Sequence, residues 1–471
     1  MAACLSLAAA SLLVPSAPTT DPWGWIIWGR EVAHLDLSTA ISGVPSWKPL
    51  PVLFTAPLSA FGGAAPDLWM LVARAGGLLG LLAAYRLGSR LGGRAAGVFA
   101  AGGLAVSTHW IRTFLHGYSE PLAIALLLLA VDRHLSGRPR QALLLAAGVS
   151  LVRPEAFALV LLYAAVLWRR GELPLPALAG LALAVPALWI VPDWLGSGDP
   201  FHAGKVSSAV EPNGVQPALT AFAAAVQIPP FPLSLAAIAG LVVALRASER
   251  RVVDLSLVAA GWALLILGLM LAGYPASARF FVLPASLICV LGAVGAVRVV
   301  ELATSRAARA SAAALVALAV LPVVAVRSEA MAAEVGDSVQ RARLEGGLAT
   351  AIGRVGPARL RACGVPVLPR GLGWLRGSVA WRLRLPMRRV RSVPTTGAAY
   401  ILALGESGEG ASPDRVTVHT RRRRFVLLDP FAGSRLRVSS SKVDLATATR
   451  AGTWRLLLPD LARCPVPTRA A

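Results

Sequence analysis

Long apolar blocks recur along the first two thirds of the chain, each closed by a short cluster of arginine, glycine, proline or acidic residues. They fall at 2–15, 67–87, 94–111, 119–132, 141–152, 156–168, 174–192, 218–245, 255–273, 280–299 and 309–326. Unbroken apolarity of this length predicts membrane helices, because a half-buried strand would alternate polar and apolar positions. A perpendicular span needs about 20 residues, so several of the shorter blocks predict abbreviated helices. The first block lacks the basic n-region of a secretory signal and is read as a retained helix, with a cleaved signal peptide as the other reading. Composition agrees with the pattern: 56% of the 471 residues are hydrophobic and 15% charged, which points to a membrane protein.

The loops between blocks are of two kinds. "RLGSRLGGR" (86–94), "DRHLSGRPR" (132–140), "RRGE" (169–172), "RASERR" (246–251) and "ELATSRAAR" (301–309) are short and basic, and they alternate along the chain with loops of other character. The positive-inside rule places the basic set in the cytoplasm. Segments 16–66, 112–118, 153–155, 193–217, 274–279 and everything after 326 then lie outside. The expected architecture is an all-α polytopic membrane bundle with about eleven transmembrane segments over 1–326. Its first outer loop is 16–66, and an extracytoplasmic C-terminal domain occupies 327–471. In that domain "SVQRARLEGGLATAIGRV" (338–355) predicts a helix, "RRRRFVLLDPF" (421–431) and "TWRLLLPD" (453–460) predict strands, and "SVPTTGAAYILALGESGEGASPDR" (392–415) predicts a strand followed by a Gly/Ser-rich turn. A small mixed α/β domain is the expectation. Cys363 and Cys464, the two cysteines outside apolar blocks, can form a disulfide there.

The formal charge of +22 invites a nucleic-acid reading. A chain this apolar offers no evident soluble basic surface, and arginine near lipid headgroups or lipid phosphates accounts better for the charge. No nucleic-acid partner is expected, whereas membrane lipids are. No phosphate-binding glycine loop, serine-hydrolase elbow or metalloprotease helix occurs, which disfavours an ATP-driven pump and those hydrolases. Isolated outer acids define no coordination set, so no metal ligands are assigned; a divalent metal stays possible.

Polar residues collect on the outer side. The first loop opens with "TTDPWGWIIWGREVAHLD", where Asp21 can cap a helix, Pro22 fits its first turn, and Trp25, Trp28 and Val32 recur at helical spacing. This predicts a helix lying on the membrane with its tryptophans at the interface. Asp21, Lys48, Arg112, His116, Glu120, Arg153, Glu155, Lys205 and Arg279 all map to outer loops or outer helix ends. Such charges in a bundle cost several kcal/mol each unless solvated or paired, so their convergence predicts a polar cavity. Anchoring at headgroup depth is the alternative for any single one.

The order "KPLPVLFTAPLSAFG", "HGYSEPLAIALLLLAVDRHLSG" and "LLLAAGVSLVRPEAFALVLL" behind an acid-bearing first loop resembles the polytopic C-fold glycosyltransferases, among them protein O-mannosyltransferases and lipid A aminoarabinose transferases. The likeness covers roughly residues 1–300. It implies transfer of a sugar from a polyprenyl-phosphate donor to a lipid, glycan or protein acceptor outside a bacterial cytoplasmic membrane. By position, the acid at the reaction centre is Asp21, and the lysine-proline element before helix two is Lys48-Pro49. The chain departs from the pattern in having no second acid beside Asp21.

In that chemistry Asp21 is the candidate general base. Lys48, Arg153 and Arg279, then Lys205 and Arg112, are candidates to hold the donor phosphate. Glu120, Glu155 and His116 are candidate sugar or acceptor contacts; Glu120 can also cap its helix, Glu155 can orient Arg153 or form a structural pair, and His116 can be purely structural. A lipid or sugar transporter or flippase without glycosyl transfer is the alternative, since broken helices and buried charges also occur there.

Overall fold

The computed structural model describes residues 2–41, 43, 45–368, 373–391, 398–404, 415–419, 442–451 and 454–459. Helices α1 (Ala2–Ser11), α2 (Thr20–Ala33), α3 (Pro49–Leu58), α4 (Ala65–Ala105), α5 (Trp110–Leu115), α6 (Glu120–Leu135), α7 (Pro139–Ser150) and α8 (Ala156–Arg169) are followed by α9 (Leu175–Ser197), α10 (His202–Val210), α11 (Val215–Val226), α12 (Phe231–Arg246), α13 (Arg250–Leu271), α14 (Val282–Glu301) and α15 (Arg306–Val355). Every apolar block is mostly helical, with breaks at 12–15, 106–109 and 227–230. Among the described residues, five helical runs are long and apolar enough to cross a membrane: Pro49–Ala105, Leu175–Ser197, Arg250–Leu271, Ala278–Glu301 and Arg306–Val355. The block expected at 218–245 is instead α11 and α12 bent by 86°, which make a sixth span if taken together. Pro229 and Pro230 fall at that break, where neither can continue a helical hydrogen-bond ladder.

The expected blocks 67–87 and 94–111 lie in one helical run that turns at Gly92 and Gly93. Gly93 has φ +79°, open to glycine without strain. Beyond the turn, the Gly88 backbone faces Ala96, Gly97 and Ala100, so small residues let the two halves pack closely. At this end the basic loops meet: Arg90 and Arg86 contact the buried carboxylate of Asp132 at 3.0 and 3.5 Å, and Arg298 pairs with Glu249. Three loops of the basic set, 86–94, 132–140 and 246–251, thus contribute to ion pairs at one end of the bundle, where Arg298 of α14 also donates to the Leu91 carbonyl at 3.4 Å. Helix α14 runs through the centre, buried from Val282 to Ala296 apart from Ile288.

Helix α15 is 50 residues long, roughly 75 Å at 1.5 Å per residue, far more than the hydrocarbon core of about 30 Å. Its first half exposes Leu315, Leu318, Leu321 and Val326, as a lipid-facing helix does. Where this half ends, Arg327 donates to the carbonyls of Val106, Gln227, Ile228 and Pro229 at 2.7 to 3.1 Å, which satisfies its guanidinium without a carboxylate. The far end buries Leu348, Ala351 and Ile352. Beyond it come α16 (Pro357–Cys363), α17 (Arg376–Arg382) and strands β1 (Val365–Val367), β2 (Ala398–Leu404), β3 (Arg415–His419), β4 (Lys442–Ala451) and β5 (Trp454–Pro459). The strands form one sheet in the order β1-β2-β5-β4-β3, parallel at β1 and β2 and antiparallel elsewhere. The strand expected at 421–431 and the Cys363–Cys464 disulfide fall outside the described residues, the latter because of Cys464.

Helix α2 forms where the spacing predicted, with two differences. Thr19 occupies the N-cap position, so Asp21 stands inside the first turn and its carboxylate is free for another partner. Its tryptophans are not at a hydrated interface: Trp23, Trp25 and Trp28 are buried in a cluster with Trp47, Trp69 and the end of α15. Their burial follows from the C-terminal cover, which local spacing does not encode; α17 approaches so closely that a Cβ on Gly377 would strike Trp23. Trp28 and Trp25 donate to the carbonyls of Ser38 and Ser46 at 3.1 and 3.4 Å in place of water.

Glu31 is buried in the same layer and accepts the Ser38 backbone N–H at 2.9 Å. Burial pushes its carboxyl up to about 7, against the Ser38 hydrogen bond and Arg30. The folded chain thus holds this proton more tightly than the unfolded chain, and stability is lost as pH rises from 4.5 through about 7. Replacing Glu31 by glutamine (E31Q) is expected to raise the thermal midpoint by a few degrees in mildly alkaline buffer and to change it little in acid. Thermal unfolding in detergent at both pH values measures this, and an equal shift at both would contradict it.

Candidate active site

The outer ends of the helices start with residues that fix side-chain direction. Lys48 precedes Pro49 and is extended (φ −140°, ψ 120°), the conformation a following proline favours, so it stands as the residue before α3 instead of joining the helix. Ser119 and Glu120 begin α6, Arg153 lies in the break between α7 and α8, and Arg279 lies in the short turn Ala278–Phe281 before α14. These elements are far apart in sequence and meet in space.

Glu120, 1% exposed, is the hub. Its Oε1 accepts from Arg153 Nη2 at 2.8 Å and lies 3.6 Å from Lys48 Nζ. Lys48 also donates to Ser119 Oγ at 3.2 Å and lies 4.9 Å from the centre of the Trp25 ring. Arg153 stacks 4.8 Å over Phe280 and donates to the Arg279 carbonyl at 3.1 Å. Arg279 in turn reaches Asp21, Nη1 to Oδ2 at 3.2 Å. The network thus ties α2, α3, α6 and α14 together. Burial pushes the Lys48 ammonium down to about 8; Glu120 opposes the shift, and Arg153 and Arg279 add to it.

A cavity of about 460 Å³ opens onto this network. Three cations, Lys48, Arg153 and Arg279, and two carboxylates, Asp21 and Glu211, are among the residues lining it, beside Trp189, Tyr274 and Phe280. The Nε atoms of Arg153 and Arg279 are buried and have no hydrogen-bond partner among the described residues. Three cations against two carboxylates, around a space of this size, suit an anionic ligand with an organic body.

The expected residues divide accordingly. Asp21, Lys48, Glu120, Arg153 and Arg279 come together. Glu155 is buried nearby in the chain but does not orient Arg153, whose carboxylate partner is Glu120; neither Glu155 oxygen has a partner among the described residues. Lys205 pairs with Asp199 away from the cavity, while Ala203, Gly204, Ser207 and Ser208 of the same helix line it. Arg112 and His116 lie elsewhere, with Glu334 of α15 at 3.8 and 3.4 Å. Adjacent Asp337 completes a group whose ligand atoms all lie within 4.8 Å of one another, a donor set suited to a metal ion. Sequence reading overlooked Ser119, Tyr274 and Phe280 in the site and Glu334 and Asp337 outside it. Ser119 adjoined Glu120 and so carried a signal; the others carried none, since their partners are remote.

Fold and site together define a polytopic α-helical membrane protein with a cation-rich cavity under its first outer-loop helix. The fold is shared with ArnT from Cupriavidus metallidurans. The form of ArnT bound to undecaprenyl phosphate superposes with a TM-score of 0.55 at 15% identity, covering 99% of this chain and 99% of that one. Its apo form gives 0.51 at 14%, covering 97% and 98%. The resemblance expected from the motifs thus holds at the level of fold. Neither a protein-family model nor a curated protein sequence matches the chain.

Removing the shared acceptor leaves two buried cations facing each other. Glu120→Ala is expected to destabilise the protein by about 3–5 kcal/mol, seen as a lowered thermal midpoint in detergent. Glu120→Gln, which retains an acceptor oxygen, should lose less; equal midpoints for wild type and Glu120→Ala would show that the hub is not structural.

Proposed function

We propose that this chain is a membrane glycosyltransferase that moves a sugar from a polyprenyl-phosphate donor to a lipid, glycan or protein acceptor of the cell envelope. The single observation that carries the reading is the cavity in which Asp21, paired to Arg279, faces the same space as Lys48 and Arg153. The setting is the extracytoplasmic side of a bacterial cytoplasmic membrane, with about eleven membrane crossings and the C-terminal helices and sheet as a small mixed α/β extracytoplasmic domain. Support for the donor class comes from ArnT, which shares the fold and was solved with undecaprenyl phosphate.

Transfer breaks the bond between the anomeric carbon and the lipid phosphate and forms one to the acceptor oxygen. Positive charge builds on the sugar ring, negative charge on the departing phosphate, and the acceptor hydroxyl gives up its proton. Asp21 accepts that proton as general base. Arg279 orients the Asp21 carboxylate through its Nη1 and, with Arg153 and Lys48, stabilises the phosphate as it leaves. Glu120 positions Lys48 and Arg153, and Trp189, Tyr274 and Phe280 provide walls against which a sugar ring and the first lipid units pack.

Asp21→Asn removes the base and retains an oxygen that accepts from Arg279, so turnover of a polyprenyl-phosphate sugar by purified protein should fall about 10²- to 10⁴-fold while the thermal midpoint falls less than in Glu120→Ala. Normal turnover would sink Asp21 as the base; movement of the lipid-linked sugar across vesicles without any transfer would favour a flippase.

The Lys48 charge supplies a second check. The ammonium is present below its pKa of about 8 and lost above it, so kcat/KM should fall as pH rises through about 8. Lys48→Arg, slower overall, should lack that basic limb; a limb unchanged in the variant would assign it to another group.

A further inference from the structure

His116 ends α5 at the outer end of the bundle, and Glu334 and Asp337 lie on α15 beyond its lipid-facing half. We infer that these three side chains bind a zinc ion that clamps the outer half of α15 to the bundle. This inference does not depend on the transfer reading.

The tautomer of His116 is set by its surroundings. The ring is 1% exposed and its Nδ1 lies 3.2 Å from the Ala17 carbonyl. A carbonyl only accepts, so Nδ1 carries the hydrogen and Nε2 presents a lone pair. That lone pair faces Glu334 Oε1 at 3.4 Å. Two acceptors at this distance repel unless a cation or a second ring proton lies between them. Imidazole held by a carbonyl at one nitrogen is the arrangement that steadies metal-ligating histidines.

The spacing suits zinc as well. Tetrahedral ligands about 2.0–2.1 Å from Zn²⁺ stand about 3.3–3.4 Å apart, the separation already present between His116 and Glu334. Glu334 and Asp337 are three residues apart on one helix and share a face. All three ligand atoms lie within 4.8 Å, so small rotations of the partly exposed Asp337 close the set. Arg341 holds only one oxygen of Asp337, Nε to Oδ2 at 2.6 Å, and Arg112, half exposed, contacts Glu334 Oε1 at the longer distance of 3.8 Å and can move into water. One imidazole with two carboxylates favours Zn²⁺ over Mg²⁺ or Ca²⁺, which prefer all-oxygen shells; water fills the fourth position.

The clamp has a structural consequence. The end of α15 packs Leu348 and Ile352 against the tryptophans of α2, the helix that carries Asp21. Fixing α15 at Glu334 and Asp337 therefore steadies the cover over the cavity.

The test uses the full chain in detergent, stripped with chelator and titrated with zinc chloride by calorimetry, with thermal unfolding in parallel. Wild type should bind one zinc per chain and gain thermal stability. Asp337→Asn and Glu334→Gln, at partly exposed positions where folding is expected to persist, should weaken binding about tenfold or more and lose the thermal gain, and His116→Gln should do the same. Magnesium should not compete, and Asp21→Asn should bind zinc as wild type does, which separates this site from the proposed transfer chemistry. Wild type taking up no zinc, or binding it no better than these variants do, would overturn the inference.

Discussion

A carboxylate buried at the polar end of an apolar bundle has to be met by cations, and the outer end of this protein is organised around that requirement at Glu120. Arg153 and Lys48 converge on one of its oxygens, Arg153 bonds to the Arg279 backbone, and Arg279 holds Asp21. Each charge is tolerable only because of the next: a lone ion there would cost several kcal/mol, while the pairs have little to gain by separating. The chain of contacts fixes four helix starts relative to one another. It also sets three cations against two carboxylates around the cavity, so the arrangement that stabilises the bundle is poised toward an anion.

Elsewhere the bundle relies on small residues and carbonyls instead of charge pairs. Close approach at Gly88 and Gly97 closes the hairpin within α4, and glycines on α14 do the same against α12. Arg74 and Arg327, both among apolar helices, are met by carbonyls and hydroxyls: Arg74 donates to the carbonyls of Ser11 and Leu115 and the hydroxyls of Ser11 and Ser16, Arg327 to carbonyls of the loops beside α5 and α12. A guanidinium can spread its donors over several carbonyls in a way an ammonium cannot, consistent with arginine at these positions. Rigidity from packing and polar satisfaction thus surrounds the cavity.

Helix α15 links the two regions. Its lipid-facing half belongs to the bundle and its far end to the layer covering α2, so the helix carrying Asp21 is held between membrane helices and the C-terminal segment.

Much of this was legible in the residues. Apolar blocks located the helices because continuous burial or lipid contact demands continuous apolarity, and three of the basic loops, 86–94, 132–140 and 246–251, hold ion pairs at one end of the bundle. Asp21, Lys48, Arg153 and Arg279 stood out because charge is costly beside such blocks. Other features depended on partners remote in the chain. The bend between α11 and α12, the burial of Trp23, Trp25 and Trp28, the pairing of Glu120 with Arg153 in preference to neighbouring Glu155, and the meeting of His116 with Glu334 and Asp337 were set by packing. Local spacing determines which face of a helix is apolar and where polar groups interrupt it; only the tertiary structure decides what covers that face and which charge meets which, because those energies arise between segments hundreds of residues apart.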